Sequence, residues 1–305
     1  MLDYVLSKTV ARKSRYHSPL AELFREQVLI AGNVPQTADN YLSQIARLAE
    51  YYRTSPEKLS EEQVRKYLLL RKQQLKLNSM RPIVASLKFF YSQTVPRDWQ
   101  TLRAIRIPRI RTLPVVLIPE QAWQLIDATR AFHWQVFFRT CYTTGLRSGD
   151  ARYLTIHDVE AERQQLHIRT TKNSQERIVS LPHATLEALR AYWKTHRHPK
   201  WLFPSRANLR QMHLAEGPVS KSAANRGFRK VVRSLNWQIP GLRLHSLRHS
   251  YATAMLEAGI NIRVSQSYLG HKNLRATEIY LHLTRNSDQQ ARKIVQQLMN
   301  GPEKP

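Results

Sequence analysis

A histidine and an arginine stand three residues apart in the segment LHSLRHSYAT, at positions 244–253. On a helix, residues with this spacing are neighbours on one face, so His245 and Arg248 would project together. An imidazole and a guanidinium on one face can jointly hold a phosphate, because both donate hydrogen bonds and the guanidinium keeps its positive charge. The pair therefore indicates a phosphate-binding site.

Two other segments carry residues suited to the same chemistry. The turn TGLR ends at Arg147, directly after a glycine. Further along, Gly270 permits a tight turn that can aim His271 inward, and Tyr280 follows nine residues after that histidine. Taken singly each signal is weak, since a lone histidine is more often a satisfied residue and a lone tyrosine at helical spacing more often packs in a core. The order in which these residues follow one another along the chain is the stronger evidence.

The elements around these residues are readable from periodicity. Apolar residues at 121–131 and 135–142 have helical spacing, whereas 165–170 and 177–181 are short β-prone runs. The polar stretch 171–176 separates the two runs, which predicts a β-hairpin with Lys172 in its turn. Apart from this hairpin, the second half of the chain is helical by pattern.

The first part of the chain has almost no glycine and shows four amphipathic segments. Ser60 and Gln63 form a capping-box pattern ahead of the third segment, and Thr37 is a plausible cap for the second. We predict a small helical domain at residues 14–100. Its predicted core positions are Leu20, Leu23, Phe24, Val28, Tyr41, Ile45, Leu48, Tyr52, Val64, Tyr67, Leu68, Ile83, Leu87, Phe90 and Tyr91.

A basic stretch with a different composition follows at residues 101–116. Arg103, Arg106, Arg109 and Arg111 alternate with apolar residues, and Pro108 blocks a continuous helix. The pattern predicts an extended linker that lies against a phosphate backbone; the alternative is a solvated linker without such contacts. A second domain is predicted at residues 117–300.

Composition limits the partners. The formal net charge is +26, from 48 Lys and Arg against 22 Asp and Glu, and the excess is spread along the chain. Nucleic acid is the leading candidate for the anionic partner, and a membrane surface is the second. No apolar stretch is long enough to span a bilayer, no signal segment is visible, and the single Cys141 excludes an internal disulfide. We expect a cytoplasmic, nucleoid-associated protein.

The ordered set resembles the tyrosine recombinases, the group of phage integrases and chromosome-dimer resolution recombinases. The boxes that carry the resemblance are TGLR with Asp150, the hairpin lysine followed by Glu176 and Arg177, HSLRHS, and LGH. The resemblance implies a mainly α fold with a small antiparallel sheet (α+β), in which a helical, SAM-like DNA-binding domain precedes the catalytic domain. The implied catalytic residues are Arg147, Lys172, His245, Arg248, His271 and Tyr280.

The family chemistry assigns each of them a role. Arg147 and Arg248 would stabilise the charge that builds on the phosphoryl oxygens, and His271 would hydrogen-bond one of those oxygens. Tyr280 would attack phosphorus with His245 as the base, and Lys172 would protonate the leaving DNA hydroxyl. Asp150 and Arg177 would orient these groups, with an ordinary salt bridge as the alternative. No metal or cofactor is implied.

The resemblance also implies partners: double-stranded DNA, a tetramer formed on paired DNA sites, and potentially an accessory DNA-bending protein. The amphipathic tail at 287–299 would dock on a neighbouring subunit or on its own domain. Three alternatives stay open: a catalytically idle DNA-binding factor of the same fold, a type IB topoisomerase-like enzyme, and a membrane-surface protein.

Overall fold

The structure is a computed structural model that describes residues 18–108, 113–169, 176–206, 211–281 and 295–296. The chain divides into two compact units at the step from Thr112 to Leu113, inside the stretch predicted as a linker. Lys172, Arg109, Arg111 and most of the predicted tail lie outside the described residues. No helix in the described part of the chain is long and apolar enough to cross a membrane.

The N-terminal unit is helical, as the periodicity predicts. Phe24, Val28, Leu48 and Leu87 are fully buried in its core, and the ring of Phe24 packs edge-on against Phe90. The predicted core position Leu23 is instead 44% exposed. The helices are α1 Pro19–Ile30, α2 Pro35–Tyr52, α3 Glu61–Gln74, α4 Leu77–Phe89, continued by a π-helical turn Phe90–Thr94, and α5 Gln100–Ala104.

The two caps predicted in this unit have different outcomes. The Ser60 hydroxyl accepts from the Gln63 backbone N–H, and the Gln63 side chain accepts from the Ser60 N–H, so the capping box is confirmed. The cap at Thr37 is wrong, because α2 already begins at Pro35. Proline suits the first turn of a helix, where its missing N–H costs nothing.

The expected extended linker begins later than predicted. Residues 101–104 belong to α5, so the prediction is wrong for this part. The reason is apolar packing: Leu102 is buried, and Ile105 and Ile107 pack against the N-terminal core. Arg106 is exposed, and exposed Arg103 forms an ion pair with Asp98.

The C-terminal unit surrounds α7, whose Val136, Phe137, Phe138 and Cys141 are buried. Its helices are α6 Pro119–Asp127, α7 Phe132–Thr143, α8 Ser148–Arg152, α9 His183–Lys194, α10 Lys221–Ser234, α11 Ser246–Glu257, α12 Ile262–Leu269 and α13 Arg275–Glu278.

A three-stranded antiparallel sheet completes this unit, in the order β1 Val159–Glu160, β2 Gln165–Ile168 and β3 Arg177–Ser180. Strands β2 and β3 pair in the register Ile168 opposite Arg177, which confirms the predicted hairpin. Strand β1 has only two residues, too few for an alternating pattern to reveal it. The mainly α fold with a small antiparallel sheet is thus confirmed.

Candidate active site

The loop before α8 brings Arg147 toward the site through a glycine with a left-handed backbone. Gly145 has φ +62°, and a Cβ at this position would lie 2.3 Å from the ring of Tyr251. Only glycine fits both the backbone angle and the tight contact. The turn therefore fixes where Arg147 emerges.

Arg248 lies on the first turn of α11 and is 1% exposed. It donates to the Gly145 carbonyl at 2.8 Å and to the Leu269 carbonyl, so it joins two loops that are distant in sequence. Burial first, and the charge of Arg147 second, lower the pKa of Arg248 to about 9. The guanidinium is still mostly charged at neutral pH, and a bound anion would stabilise it further.

Asp150 ties Arg177 into the same cluster. The Arg177 Nη2 donates to Asp150 Oδ2 at 3.0 Å, and its Nε donates to the Tyr268 carbonyl at 3.0 Å. Arg147 Nη1 lies 3.8 Å from the same carboxylate oxygen, and its Nη2 donates to the Gly270 carbonyl at 3.4 Å. The structure thus brings both predicted supporting residues together with the first arginine.

The cluster carries more positive charge than its own carboxylate offsets. Three guanidiniums, of Arg147, Arg177 and Arg248, accompany Asp150. Among the described atoms, the buried Nη1 groups of Arg147 and Arg177 have no hydrogen-bond partner. Unsatisfied buried donors are costly, and donors of this kind are suited to phosphate oxygens. The arrangement is that of a site for an anion.

The third box places His271 beside Tyr280. Helix α12 ends at Gly270 with φ +61°, where a Cβ would lie 2.8 Å from the Arg177 side chain. The His271 Nδ1 is 2.9 Å from the Thr277 hydroxyl, and its ring stacks over Tyr280 with centroids 6.3 Å apart. Burial first, and the arginines second, lower the pKa of His271 to about 3.

Tyr280 is 2% exposed and lies against Ala252, Leu256 and Leu269. Burial raises the pKa of its phenol, whereas the charges of Arg248 and Arg147 act in the opposite direction. The nucleophile expected from the sequence therefore lies beside the arginine cluster of its own chain.

The Tyr280 hydroxyl has a different partner from the expected one. Its oxygen is 2.8 Å from Nδ1 of His249, a residue that the sequence analysis did not select. His245, the expected base, packs its ring against His249 with centroids 4.6 Å apart. Its role as base stays a prediction. The missed signal was available, because His249 follows His245 by four residues and so shares its helix face.

A basic helix face was also missed. Lys221, Arg226, Arg229, Lys230 and Arg233 are exposed on α10, which has no acidic residue. Gly227 on the opposite side packs against Trp134, where a Cβ would lie 2.7 Å from the indole. The glycine lets α10 pack closely on α7 and so fixes the direction of its charged face.

The chain matches known protein families and sequences along most of its length. Residues 116–287 match the profile of the phage integrase family, and residues 20–101 match its N-terminal SAM-like domain. An integrase/recombinase of Sinorhizobium fredii is 30% identical over 272 residues, which cover 88% of this chain and 86% of the relative. The chain belongs to the phage integrase family. It is accordingly a site-specific recombinase, and the resemblance inferred from its motifs is confirmed.

Three further proteins are similar to this chain in sequence or in fold. The tyrosine recombinase XerA of Pyrococcus horikoshii is 26% identical, with 95% of this chain and 99% of that protein covered. The lambda integrase dimer bound to a COC′ core site has TM-score 0.68 and 17% identity, and the match covers 86% of the present chain and 75% of the lambda chain. The Tn1549 transposon integrase bound to right-end DNA has TM-score 0.66 and 18% identity, with 92% and 99% covered. At these identities the two solved structures show a shared fold.

Proposed function

We propose that this recombinase cuts and rejoins double-stranded DNA through a 3′-phosphotyrosine at Tyr280. The observation that carries the proposal is the burial of this phenol beside Arg147, Arg248 and His271 in one cationic cluster. A tyrosine that only packed would not need two guanidiniums at its side. A scissile phosphate placed among them would meet both the nucleophile and the charges that its transition state requires.

Arg147 and Arg248 are proposed to make the largest electrostatic contribution to stabilising the transition state. Negative charge builds on the phosphoryl oxygens as Tyr280 attacks, and preorganised donors stabilise it without further rearrangement. Arg248 is held by two backbone carbonyls, and Nη1 of Arg147 has no hydrogen-bond partner among the described atoms. We assign His271 to a phosphoryl oxygen as well.

The leaving group needs a proton. The departing 5′ oxygen of DNA is a strongly basic alkoxide, and Lys172 is the proposed general acid. The flanking strands β2 and β3 are paired up to Ile168 and Arg177, and His167 contacts Glu176 at 2.6 Å near the end of the hairpin. The 3′-phosphotyrosine keeps the energy of the broken ester, so rejoining needs no ATP.

Both units are proposed to bind the duplex, with the N-terminal unit as the DNA-binding domain and the second as the catalytic domain. The arginines of the linker and the basic face of α10 are the proposed contacts with phosphates. Recombination joins two duplexes by four cuts, so a tetramer on paired sites is the proposed assembly, and an accessory DNA-bending protein would assist pairing. A nucleoid location in the cytoplasm follows from this substrate.

The test is covalent trapping. We expect a protein–DNA adduct on a denaturing gel when the protein is incubated with nicked duplexes from the DNA that flanks its gene. Tyr280→Phe should abolish the adduct. The matched control is Tyr268→Phe, because the described hydrogen bond of Tyr268 uses its backbone carbonyl and the substitution keeps the ring that packs against the core. An adduct that survives Tyr280→Phe would refute the nucleophile, and binding without any adduct would favour the idle DNA-binding factor.

A further inference from the structure

His249 makes a contact that the proposed mechanism has not yet used. Its Nδ1 lies 2.8 Å from the Tyr280 hydroxyl, well within hydrogen-bond distance. The ring centroids are 5.7 Å apart and tilted by 46°, so the rings meet at the polar atoms and do not stack. The contact joins α11 directly to the atom that would attack phosphorus.

The other ring nitrogen distinguishes His249 from a histidine that bridges two elements. Buried histidines commonly bridge two elements with both ring nitrogens. The Nε2 of His249 is buried and has no hydrogen-bond partner among the described residues. The Tyr280 hydroxyl is therefore the hydrogen-bond partner of the ring among the described residues, and the His245 ring packs against it.

Burial first, and nearby positive charge second, keep the His249 ring neutral. Burial, then His245, Arg243 and Arg248, lower the pKa of His249 to about 3, so at neutral pH the imidazole is uncharged and can accept a proton. The positive charges of Arg243 and Arg248 oppose protonation of the ring. A phosphate bound to Arg248 would offset the charge of that guanidinium, so substrate binding would make His249 a stronger base.

We propose that His249, in place of His245, is the catalytic residue that orients the Tyr280 hydroxyl and accepts its proton as the tyrosine attacks. The inference rests on the proposed function of Tyr280. The phenol O–H bond breaks and the proton moves to Nδ1, while the phenolate electron pair forms the bond to phosphorus. The bond from phosphorus to O5′ breaks, and that oxygen takes its electron pair and a proton from Lys172. Rejoining reverses both transfers.

Rate measurements with two substitutions test this role. Asn can keep a hydrogen-bonding atom near the position of Nδ1 but cannot take a proton, whereas Gln places its amide near the position of Nε2. We expect DNA affinity to stay unchanged and adduct formation at pH 7 to slow by about 10- to 100-fold in His249→Asn and further in His249→Gln. His133→Asn is the matched control, since His133 is also partly buried with a lowered pKa but packs on Trp134 outside the cluster.

Two readouts separate this role from a structural one. The defect of His249→Asn should shrink as the pH rises from 7 to 9, because hydroxide then replaces the missing base. A nicked substrate with sulfur in place of the bridging 5′ oxygen should not restore its rate. Sulfur is a good leaving group that needs no protonation, so this substrate should rescue Lys172→Ala instead.

Wild-type rates in His249→Asn, or full rescue by the sulfur substrate, would overturn the proposal. If neither substitution folds, nitrogen NMR of the wild-type chain and of Tyr280→Phe decides the contact. One histidine Nδ1 signal should then move from a hydrogen-bonded to an unbonded shift, and no change would refute the contact. Failure of the wild-type protein to form any adduct would instead refute the function proposed for Tyr280.

Discussion

At the scale of single residues, the two arginines of the site differ in what holds them. Arg248 is 1% exposed and satisfies the carbonyls of Gly145 and Leu269. The side chain of Arg147 is 30% exposed, and its Nη1 has no hydrogen-bond partner among the described atoms. Arg248 thus contributes two buried hydrogen bonds to the folded structure as well as charge to the site, whereas Arg147 contributes charge and one longer hydrogen bond, to the Gly270 carbonyl at 3.4 Å.

This difference predicts separable effects of two substitutions. Arg147→Ala should slow adduct formation by about 100-fold or more while the free energy of unfolding changes by less than about 0.5 kcal/mol. Removing the Arg147 guanidinium also reduces the repulsion among the three clustered positive charges, which offsets part of any loss of stability. Arg248→Ala should slow the reaction similarly and also destabilise the protein by about 1 to 3 kcal/mol for each buried carbonyl left unsatisfied. Adduct kinetics and urea unfolding measure the two effects, and equal stability losses would contradict the assignment.

At the scale of elements, the site depends on how turns aim the ends of helices. Gly145 lies before α8 and Gly270 ends α12, and both have a positive φ and no room for a Cβ. Each also contributes a carbonyl that accepts from an arginine of the cluster. The turns therefore determine both the path of the chain and the position of the charges.

Alanine substitutions of glycines should separate these requirements. Gly145→Ala meets a strained φ and the ring of Tyr251, so we expect a loss of more than about 2 kcal/mol in stability and slower cleavage. Gly259→Ala has φ +81° but open space, and it should lose about 1 kcal/mol. Gly149→Ala on α8 has neither constraint and should be neutral or stabilising. Thermal melting ranks the three variants by their loss of stability, and adduct rates show the effect on cleavage. Equal stability losses in Gly145→Ala and Gly259→Ala would show that the contact with the Tyr251 ring does not matter.

At the scale of the whole molecule, a net charge of +26 makes DNA binding strongly dependent on salt. If about ten phosphates are neutralised, the logarithm of the affinity should fall with the logarithm of the salt concentration with a slope near −9. The exposed face of α10 supplies five of the available cations on one rigid element.

Substitution on α10 tests this contribution. Arg229→Ala should reduce the magnitude of the salt slope by about 1, because one phosphate contact is lost. Arg190→Ala on α9 is the control, since Arg190 already pairs with Glu187 at 2.7 Å and its removal should leave the slope unchanged. Fluorescence anisotropy over a range of salt concentrations measures both. Equal slopes for Arg229→Ala and the wild-type chain would place α10 away from the DNA.

The sequence by itself determined the local features of this protein. Helical periodicity, the capping box at Ser60 and the β2–β3 hairpin were predictable, because each is set by residues close together in the chain. The order and spacing of the boxes singled out Arg147, His245, Arg248, His271 and Tyr280, which the structure brings into one cluster, whereas their catalytic roles stay predictions. The start of α2 and the helical beginning of the linker were not, because proline at the first turn and packing of Leu102 outweighed the local pattern.

Only the tertiary structure decided which of these groups meet. The contact of His249 with Tyr280 joins residues 31 apart, that of Arg177 with Asp150 joins residues 27 apart, and that of Arg248 with the Gly145 carbonyl joins residues 103 apart. Spacing along a helix shows which side chains share a face, but the partner opposite that face depends on how the elements pack. The partner of the nucleophile therefore became visible only when α11 and Tyr280 were placed together around one buried cluster of charge.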